Sequence, residues 1–255
     1  QGAAGVAFSR ITSTHTAATV SNGVTEADAI TPTALTSSSA TATPAARVAA
    51  VLASLVLMLG AAVDLQTEVP QLLARASMQA MDTDICTLGI AGTNTVGSTG
   101  VPLTVAVVQD AVTLFQRVAL GVDNNAWMVL HPKQLGDVKQ DALSSSSPFM
   151  AQANVMELFP NGAGLAINQA LQGTFNGIPL FKSANVQDMN GNADHGGFIV
   201  ALQYAIGGAM MQQPQTAQFD QRVNHKPAVS WFQSFIYGVV EIKDEGIITI
   251  ISDHA

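Results

Sequence analysis

The carboxyl-terminal part of the chain, Ala228 to Asp253, constrains the fold more than any other segment. Two runs rich in β-branched and aromatic residues, Trp231 to Ile242 and Ile247 to Ile251, are separated by the charged turn Lys243 to Gly246. This pattern predicts a long β-hairpin at the carboxyl end. Because the hairpin follows a helix-rich middle and a start rich in Ser, Thr and Ala, the order of elements indicates an α+β fold.

The charge content is low for a protein that stays dispersed by itself. Of 255 residues, 48% are hydrophobic and 11% are charged, with a net charge of -8. The surface of a solitary soluble domain is typically about 25–35% charged residues, so we expect neighbouring subunits to cover much of this surface. Composition alone also leaves open an ordinary alanine-rich monomer. The acidic balance disfavours a sequence-specific DNA-binding protein, although it is compatible with a container that encloses DNA without adhering to it.

Residues 5–46 are predicted to form an extended arm. They are mainly Ser, Thr, Ala and Val, and they carry too little large apolar surface to offset the entropy of folding alone. Such a segment becomes ordered by lying on other subunits, and a disordered tail is the alternative interpretation. The uncharged stretch that follows, Val48 to Val63, is shorter than the roughly 20 apolar residues of a membrane span. We predict a buried strand that runs into a turn.

Two amphipathic helices are predicted in the next part of the chain. The first extends from Asp64 to Ile90, with Pro70 assigned to its first turn, where the missing N–H is tolerated. Its apolar positions follow helical spacing: Val69, Leu72, Leu73, Ala76 and Ala80, continued by Met81, Ile85 and Leu88. A projecting loop, "AGTNTVGSTG", follows. The second helix extends from Thr104 to Leu120. Its apolar face consists of Val105, Val108, Val112, Phe115 and Ala119.

The middle of the chain mixes strands, turns and a short helix. "NNAWMVL" predicts a buried strand, His131-Pro132 a turn, and Gln134 to Asp141 a short helix. Asn-Gly pairs tolerate positive φ and favour tight turns, so "GTFNGIPLFKS" predicts a hairpin. The segment "DMNGNADHGG" at 188–197 is interpreted as an exposed, mobile loop.

The sequence shows no motif typical of a catalytic or cofactor site. The five histidines do not fall at ligand spacing, and HExxH, CxxC, complete GxGxxG, GxSxG and P-loop patterns are all missing. The single cysteine, Cys86, excludes an intramolecular disulfide framework, and we expect it to be a small buried hydrophobe. The one candidate metal cluster is Asp188, Asp194 and His195. Because exposed acidic loops without metal are common, we expect no catalytic residue, metal or cofactor.

The ordered series of segments resembles the major capsid proteins of tailed phages, whose fold is shared with encapsulin shells. "EVPQLLARASMQAMDTDICTLGI" resembles the long spine helix of that family, and "AWMVLHPKQLGDVKQ" and "FNGIPLFKSANV" resemble its axial domain. "MMQQPQTAQFDQRVNHKPAVSWFQSFIYGVVEIKDEGIITI" resembles its closing long strands. The resemblance extends from about Ala45 onward, and the order of the segments carries it rather than any single motif.

The resemblance implies a phage capsid fold with four regions. These are an amino-terminal arm and extended loop (1–46), a peripheral domain (47–100) with the spine helix (69–89), an axial domain (101–208), and closing long strands (209–255) whose last strand returns to the axial domain. It implies a non-enzymatic subunit that assembles through pentamers and hexamers into an icosahedral virion shell around double-stranded DNA. Portal, scaffolding and decoration or cement proteins are the other implied partners, and no membrane is implied.

Subunit contacts are then expected from the arm and from projecting loops. Nine residues are candidates for these contacts: Phe8, Arg10, Thr12, Glu26, Asp28, Thr93, Asn94, Asp188 and Asp194. Three other roles stay open. They are an encapsulin-like compartment shell, a secreted adhesin or fibre subunit, and an enzyme whose site lies in the loop from Asp188 to His195.

The sequence predicts shells without covalent cross-links between subunits. Some members of the capsid family join a lysine of the extended loop to an asparagine of a neighbour, but residues 1–132 of this chain contain no lysine. One thiol per subunit, that of Cys86, joins at most pairs of chains. Assembled particles boiled in detergent should therefore give one monomer band on a denaturing gel. A ladder of covalent oligomers would contradict this chemistry or the placement of the loop within 2–46.

Overall fold

The computed structural model describes most of the chain as helices and strands. The described residues are 5–11, 37–60, 64–118, 125–143, 171–190, 193–202, 204–220 and 228–253. The helices are α1 (Leu55–Gly60), α2 (Leu65–Gly89), α3 (Val105–Val118) and α4 (Pro132–Leu143). The strands are β1 (Val6–Ile11), β2 (Ser37–Ala42), β3 (Ala45–Ser54), β4 (Asn94–Gly97), β5 (Ala126–Leu130), β6 (Leu171–Phe175), β7 (Ile178–Lys182), β8 (Asp188–Met189), β9 (Asp194–Ala201), β10 (Ile206–Asp220), β11 (Ala228–Glu241) and β12 (Ile247–Asp253). This mixture of helices and strands confirms the predicted α+β class.

Besides a two-stranded ribbon, the described residues form two sheets, and the larger one has seven strands in the order β4-β12-β9-β5-β7-β6, with β8 paired to β9. The pairs β5–β7 and β4–β12 are parallel, and the other pairs are antiparallel. Phe115 of α3 is buried in one cluster with Met128 of β5 and Ile199 of β9. The second predicted helix and its apolar face are therefore confirmed, except for Ala119, which lies outside the described residues.

The smaller sheet has three antiparallel strands in the order β10-β11-β3. Along β11, buried and half-buried residues alternate, as expected for a strand with one covered face. Trp231 of β11, 1% exposed, packs with Val69 and Leu73 of α2. The first half of α2 is thus fixed on the smaller sheet.

Helix α2 extends from the smaller sheet to the larger one. Its 25 residues span about 37 Å. Asp64 caps its N-terminus, where the carboxylate accepts a hydrogen bond from the Gln66 N–H at 3.0 Å. At the other end Gly89 lies against the ring of Phe198, and the Thr249 hydroxyl donates to the Gly89 carbonyl at 3.3 Å. One helix therefore joins the two cores.

Two features of α2 differ from the prediction. Its buried face runs through Val69, Leu73 and Ser77, whereas Leu72 is 55% exposed. Apolar residues occur on more than one side of this helix. Several sets of them therefore follow helical spacing, and the spacing does not identify the set that is buried. Pro70 is the sixth helical residue rather than part of the first turn. It therefore removes one intrahelical hydrogen bond.

The predicted carboxyl-terminal hairpin is wrong in its pairing. β11 and β12 flank a short 3-10 turn, Asp244–Gly246, but they belong to different sheets. β11 pairs with β10 and β3, whereas β12 pairs with β9 and β4. Strand propensity indicates that a residue's side chain packs well on a pleated sheet. It does not identify the strand with which the segment pairs. The turn directs the chain from one sheet into the other.

The prediction for Val48 to Val63 is also partly wrong. A strand, β3, forms there, but most of its side chains are exposed, and helix α1 follows it in place of a turn. β3 is an edge strand of the smaller sheet, and among the described strands it pairs only with β11. The apolar composition indicated burial, whereas within one subunit this stretch faces outward.

The middle region largely follows the prediction. β6 and β7 form the expected hairpin, with Asn176 and Gly177 at φ angles of 47° and 81°. The strand β5 is confirmed, although Trp127 on its second face is 42% exposed. Helix α4 begins at Pro132, where a turn was predicted, because proline suits the first helical position.

The amino-terminal part forms a two-stranded ribbon. β1 and β2 are antiparallel, with Val6 opposite Ala42 and Ile11 opposite Ser37. Most of the described side chains of the ribbon are exposed or half-buried. At its base, the Phe8 ring lies 2.9 Å from where a Cβ would stand on Gly207. The described strands are extended, as predicted for the arm, and residues 12–36 lie outside the described residues.

Alanine substitutions at two helical glycines should change the free energy of unfolding in opposite directions. A Cβ on Gly89 would stand 2.6 Å from the ring of the buried Phe198, whereas a Cβ on Gly136 in α4 meets nothing within 4 Å. Gly136→Ala should raise the free energy of unfolding by roughly 0.5–1 kcal/mol through helix propensity. Gly89→Ala should lower it by about 1–3 kcal/mol through overpacking. Urea denaturation followed by circular dichroism measures both changes, and equal effects would contradict the placement of Gly89.

Candidate functional site

A buried polar cluster lies where β5, β9 and α4 meet. The Asp188 carboxylate is 2.6 Å from Nδ1 of His195, whose ring stacks on His131 with centroids 3.8 Å apart. Gln134 of α4 donates from Nε2 to the carbonyls of His195 and Ile250, at 3.0 and 3.3 Å. These contacts anchor α4 to the larger sheet.

The expectation that 188–197 forms an exposed loop is wrong for residues 194–197, which are buried in β9, whereas Asp188 and Asn190 are exposed. Asp194 and His195 are 1% and 4% exposed and begin β9. The Asp194 carboxylate accepts hydrogen bonds from the Gly100 N–H, at 3.0 Å, and from the side chain of Asn190. The Asn-Gly and acidic composition indicated a loop, but the polar groups are satisfied by one another inside the subunit.

A carboxylate, an imidazole and a hydroxyl lie side by side on three neighbouring strands at this cluster. Asp188, His195 and Ser252 are directly opposite one another on β8, β9 and β12. However, Ser252 is fully buried, and its hydroxyl has no hydrogen-bond partner in the described part of the chain. A catalytic serine needs a hydrogen bond to its base and access for a substrate. Asp188, His195 and Ser252 therefore do not have the geometry of a hydrolytic site.

The candidate metal cluster does not converge. Asp194 and His195 are neighbours on one strand, so their side chains point to opposite faces of the sheet. Within the described ranges, no group of three or more His, Cys, Asp or Glu side chains is placed to hold a metal ion.

Cys86 of α2 is buried against the larger sheet and has a weakly acidic thiol. Burial raises the pKa of Cys86 to about 12, and the neighbouring charge of Asp82 acts in the same direction. The Asp82 carboxylate itself accepts hydrogen bonds from Ser183, at 3.1 Å, and from Asn185. The cysteine is therefore a packing residue, as the sequence predicted.

The nine residues predicted at subunit contacts lie in different environments. Thr12, Glu26 and Asp28 lie outside the described residues. Arg10 lies on β1 opposite Ser38, and Phe8 is half-buried at the base of the ribbon.

The other predicted contact residues make contacts within the subunit. Thr93 is exposed, and both its N–H and its hydroxyl donate to the Asp244 carboxylate. Asn94 begins β4 opposite Ile248. Asp188 is partly exposed beside His195, and Asp194 is buried. Of this second group, Thr93 and Asp188 present the most accessible side chains.

Sequence reasoning missed the most exposed apolar surface. Leu52, Val56, Leu57 and Leu59, at the end of β3 and on α1, are 54–82% exposed. We call these four residues the apolar tip. A signal was present, since Val48 to Val63 contains no charged residue, but it was interpreted as burial within the subunit. Exposed apolar patches rimmed by polar residues typically mark interaction sites.

The two edges of the smaller sheet differ. β10 contains Pro214 and two register shifts against β11. Proline and bulges both prevent an edge from pairing with another strand. β3 contains neither, and among the described strands none pairs with its outer edge. The β3 edge is therefore open to strand addition.

None of the described helices combines the length and the apolar character that crossing a bilayer requires.

Comparisons with solved structures identify the fold. A chain from Mycobacterium phage Che8 aligns with a TM-score of 0.68 and 13% identity, covering 96% of this chain and 84% of that one. The capsid of Helicobacter pylori bacteriophage KHP30 gives a TM-score of 0.67 and 13% identity, with coverages of 98% and 85%. The capsid of a native GTA particle gives 0.65 and 16%, also with 98% and 85%.

The chain therefore has the phage capsid fold, as the sequence predicted. Identities of this size establish the fold alone. No protein-family model and no curated protein sequence matches the chain.

The thiol of Cys86 should be unreactive in the folded protein. A pKa raised from the ordinary 9.0 to about 12 lowers the thiolate fraction at pH 8 by about 1,000-fold, and only the thiolate reacts. Iodoacetamide should label Cys86 rapidly in guanidinium chloride and very slowly under native conditions. The variant Leu72→Cys, at an exposed position on the same helix, should gain one fast-reacting thiol. Native labelling of Cys86 at the rate of the Leu72→Cys thiol would contradict its burial.

Proposed function

We propose that this chain is a major capsid protein of a tailed phage. It self-assembles into the icosahedral shell of the virion, which is built in the host cytoplasm and encloses double-stranded DNA. The observation that carries the proposal is the apolar tip beside the open edge of β3, on a chain with the phage capsid fold. Both features need partners, and a shell of identical subunits provides them.

The printed names of similar structures support a shell role. They include the mature capsid of bacteriophage PhiM1, the capsid of phage KHP30 and the capsid of a GTA particle. This likeness points to a structural protein rather than an enzyme. The comparisons give no support to the alternative roles as an encapsulin-like compartment or an adhesin or fibre subunit.

The net negative charge of the chain is compatible with a container for DNA. The net charge of -8 comes from 18 acidic and 10 basic residues. DNA-binding faces gain affinity from clustered Lys and Arg that neutralise phosphates. A wall with an overall acidic balance would enclose DNA without retaining it, so we propose no sequence-specific contact between the shell and the genome.

We propose the regions inferred from the resemblance as a working division of the chain. We assign 1–46 to the arm and extended loop, 47–100 to the peripheral domain, 101–208 to the axial domain and 209–255 to the closing strands. On this division, the smaller sheet with the first half of α2 would supply the peripheral core, and α3 and α4 with the larger sheet would supply the axial core.

Pentamers and hexamers are the proposed assemblies of the subunit. The interfaces within them would resemble obligate contacts, which typically bury about 2,000–5,000 Å² and are relatively apolar. The low charge content suits contacts of this kind. Portal, scaffolding and decoration or cement proteins are the further proposed partners. Contacts through Phe8, Arg10, Thr93 and Asp188 remain part of the proposal.

Electron microscopy of the purified protein tests the proposal. The full chain should form closed icosahedral shells. A variant that lacks residues 1–41 should fold but give at least about tenfold fewer particles. This decrease is expected if the binding free energy of each contact between subunits weakens by about 1.4 kcal/mol or more. The deletion removes β1 and most of β2 but keeps the buried Ala42 and the whole of β3. Circular dichroism checks folding of the variant.

Two outcomes would count against the proposal. If the full chain stays monomeric in light scattering under near-physiological conditions, or forms linear filaments, the shell function is wrong. If the deletion variant loses its helical signal, the ribbon belongs to the subunit core and not to an arm.

A further inference from the structure

An apolar groove of about 530 Å³ lies between α2, the larger sheet and the start of β10. Ile85 lines it, as do Trp127 and Phe181, whose ring centroids are 4.7 Å apart. Trp127 is 42% exposed and Ile85 is 39% exposed, so the groove opens to solvent. Its volume falls in the range of roughly 300–1,000 Å³ that is typical of binding pockets.

The groove is suited to an apolar occupant. Besides Ser183, the polar groups on its rim are Lys182 and Asp82, and the Asp82 carboxylate already accepts hydrogen bonds from Ser183 and Asn185. The remaining lining is almost entirely aliphatic and aromatic. An occupant with several charges would be left without partners and would lose its hydration.

The apolar tip has the matching chemistry. Val56 and Leu59 are 79% and 82% exposed, and their spacing of three residues places them on one side of α1. Met58 packs against the cluster of Trp231, which fixes the helix to the smaller sheet. The two exposed side chains are therefore presented by an anchored helix, and no residue from Val48 to Val63 is charged.

The tip cannot enter the groove of its own subunit. Met58 packs in the cluster that contains Val69 of α2, whereas Ile85 of the groove is 16 residues further along the same helix. This corresponds to about 24 Å of helix. If the apolar tip occupies a groove of this kind, the groove must therefore belong to another copy of the chain.

We propose that the apolar tip of one subunit docks into this groove on a second copy of the chain. Tip and groove are different surfaces, so the contact is heterologous, and such contacts close into rings when the rotation between subunits closes. A second copy supplies one tip for each groove, which a partner of lower copy number does not. The inference rests on the proposed shell and identifies one pair of surfaces that holds it together.

Disulfide cross-linking of assembled particles tests this contact. In a Cys86→Ser background, a mass-tagged Leu59→Cys chain is co-assembled with an Ile85→Cys chain and oxidised. A mixed dimer should dominate a non-reducing gel and disappear with reductant. The matched control replaces Ile85→Cys with Leu72→Cys, which is exposed on the same α2 helix but does not line the groove, and it should give little mixed dimer.

The outcomes separate this inference from the proposed function. Shells that form without the mixed dimer, or that show only Leu59→Cys homodimers, would overturn the tip-to-groove contact and leave the shell function standing. Equal cross-linking to Leu72→Cys would also overturn it. A wild-type chain that forms no assembly would overturn both. A chain that carries Leu59→Cys and Ile85→Cys together should give a ladder of covalent oligomers.

Discussion

Helix α2 is the element on which the arrangement of both sheets depends. Its first half packs on Trp231 of the smaller sheet, and its last residue, Gly89, contacts Phe198 of the larger one. Since a helix rises by about 1.5 Å per residue, its length sets the spacing of the two cores. The half-exposed pair of Arg47 and Asp84 adds less than about 1 kcal/mol. Apolar contacts at the two ends therefore hold the two cores together. At the second contact, any residue larger than glycine at position 89 would press against the ring of Phe198.

The described subunit has a surface that is incomplete without partners. A folded monomer rarely leaves a helix such as α1 with Val56 and Leu59 about four-fifths exposed. The smaller sheet also leaves the edge of β3 unpaired among the described strands. Both features would promote aggregation in a solitary protein. In an assembly they would become interfaces, which suits a chain with only 11% charged residues.

The sequence predicted the elements better than their partners. The two predicted helices, the Asn176-Gly177 hairpin and the buried Cys86 follow from local spacing and turn chemistry, and the structure contains them. The pairing of β11 and β12 depends on which sheet each strand joins, and local propensity carries no information about that. The cluster of Asp188 and His195 was interpreted as exposed because its composition is that of a loop. The apolar tip was interpreted as buried because its composition is that of a core. Sequence hydrophobicity does not distinguish a core from an interface between subunits.

The asymmetry of the smaller sheet limits how subunits can associate. Pro214 and the register shifts of β10 block one edge, so among the described strands of the smaller sheet only β3 offers an edge for strand addition. If β3 paired with β3 of another copy, the contact would be two-fold symmetric and would close at a dimer. An assembly that continues beyond a dimer instead requires β3 to meet a different element of its neighbour. One open edge and one blocked edge therefore favour directional assembly over sheet-to-sheet stacking, which protects an apolar subunit from uncontrolled aggregation.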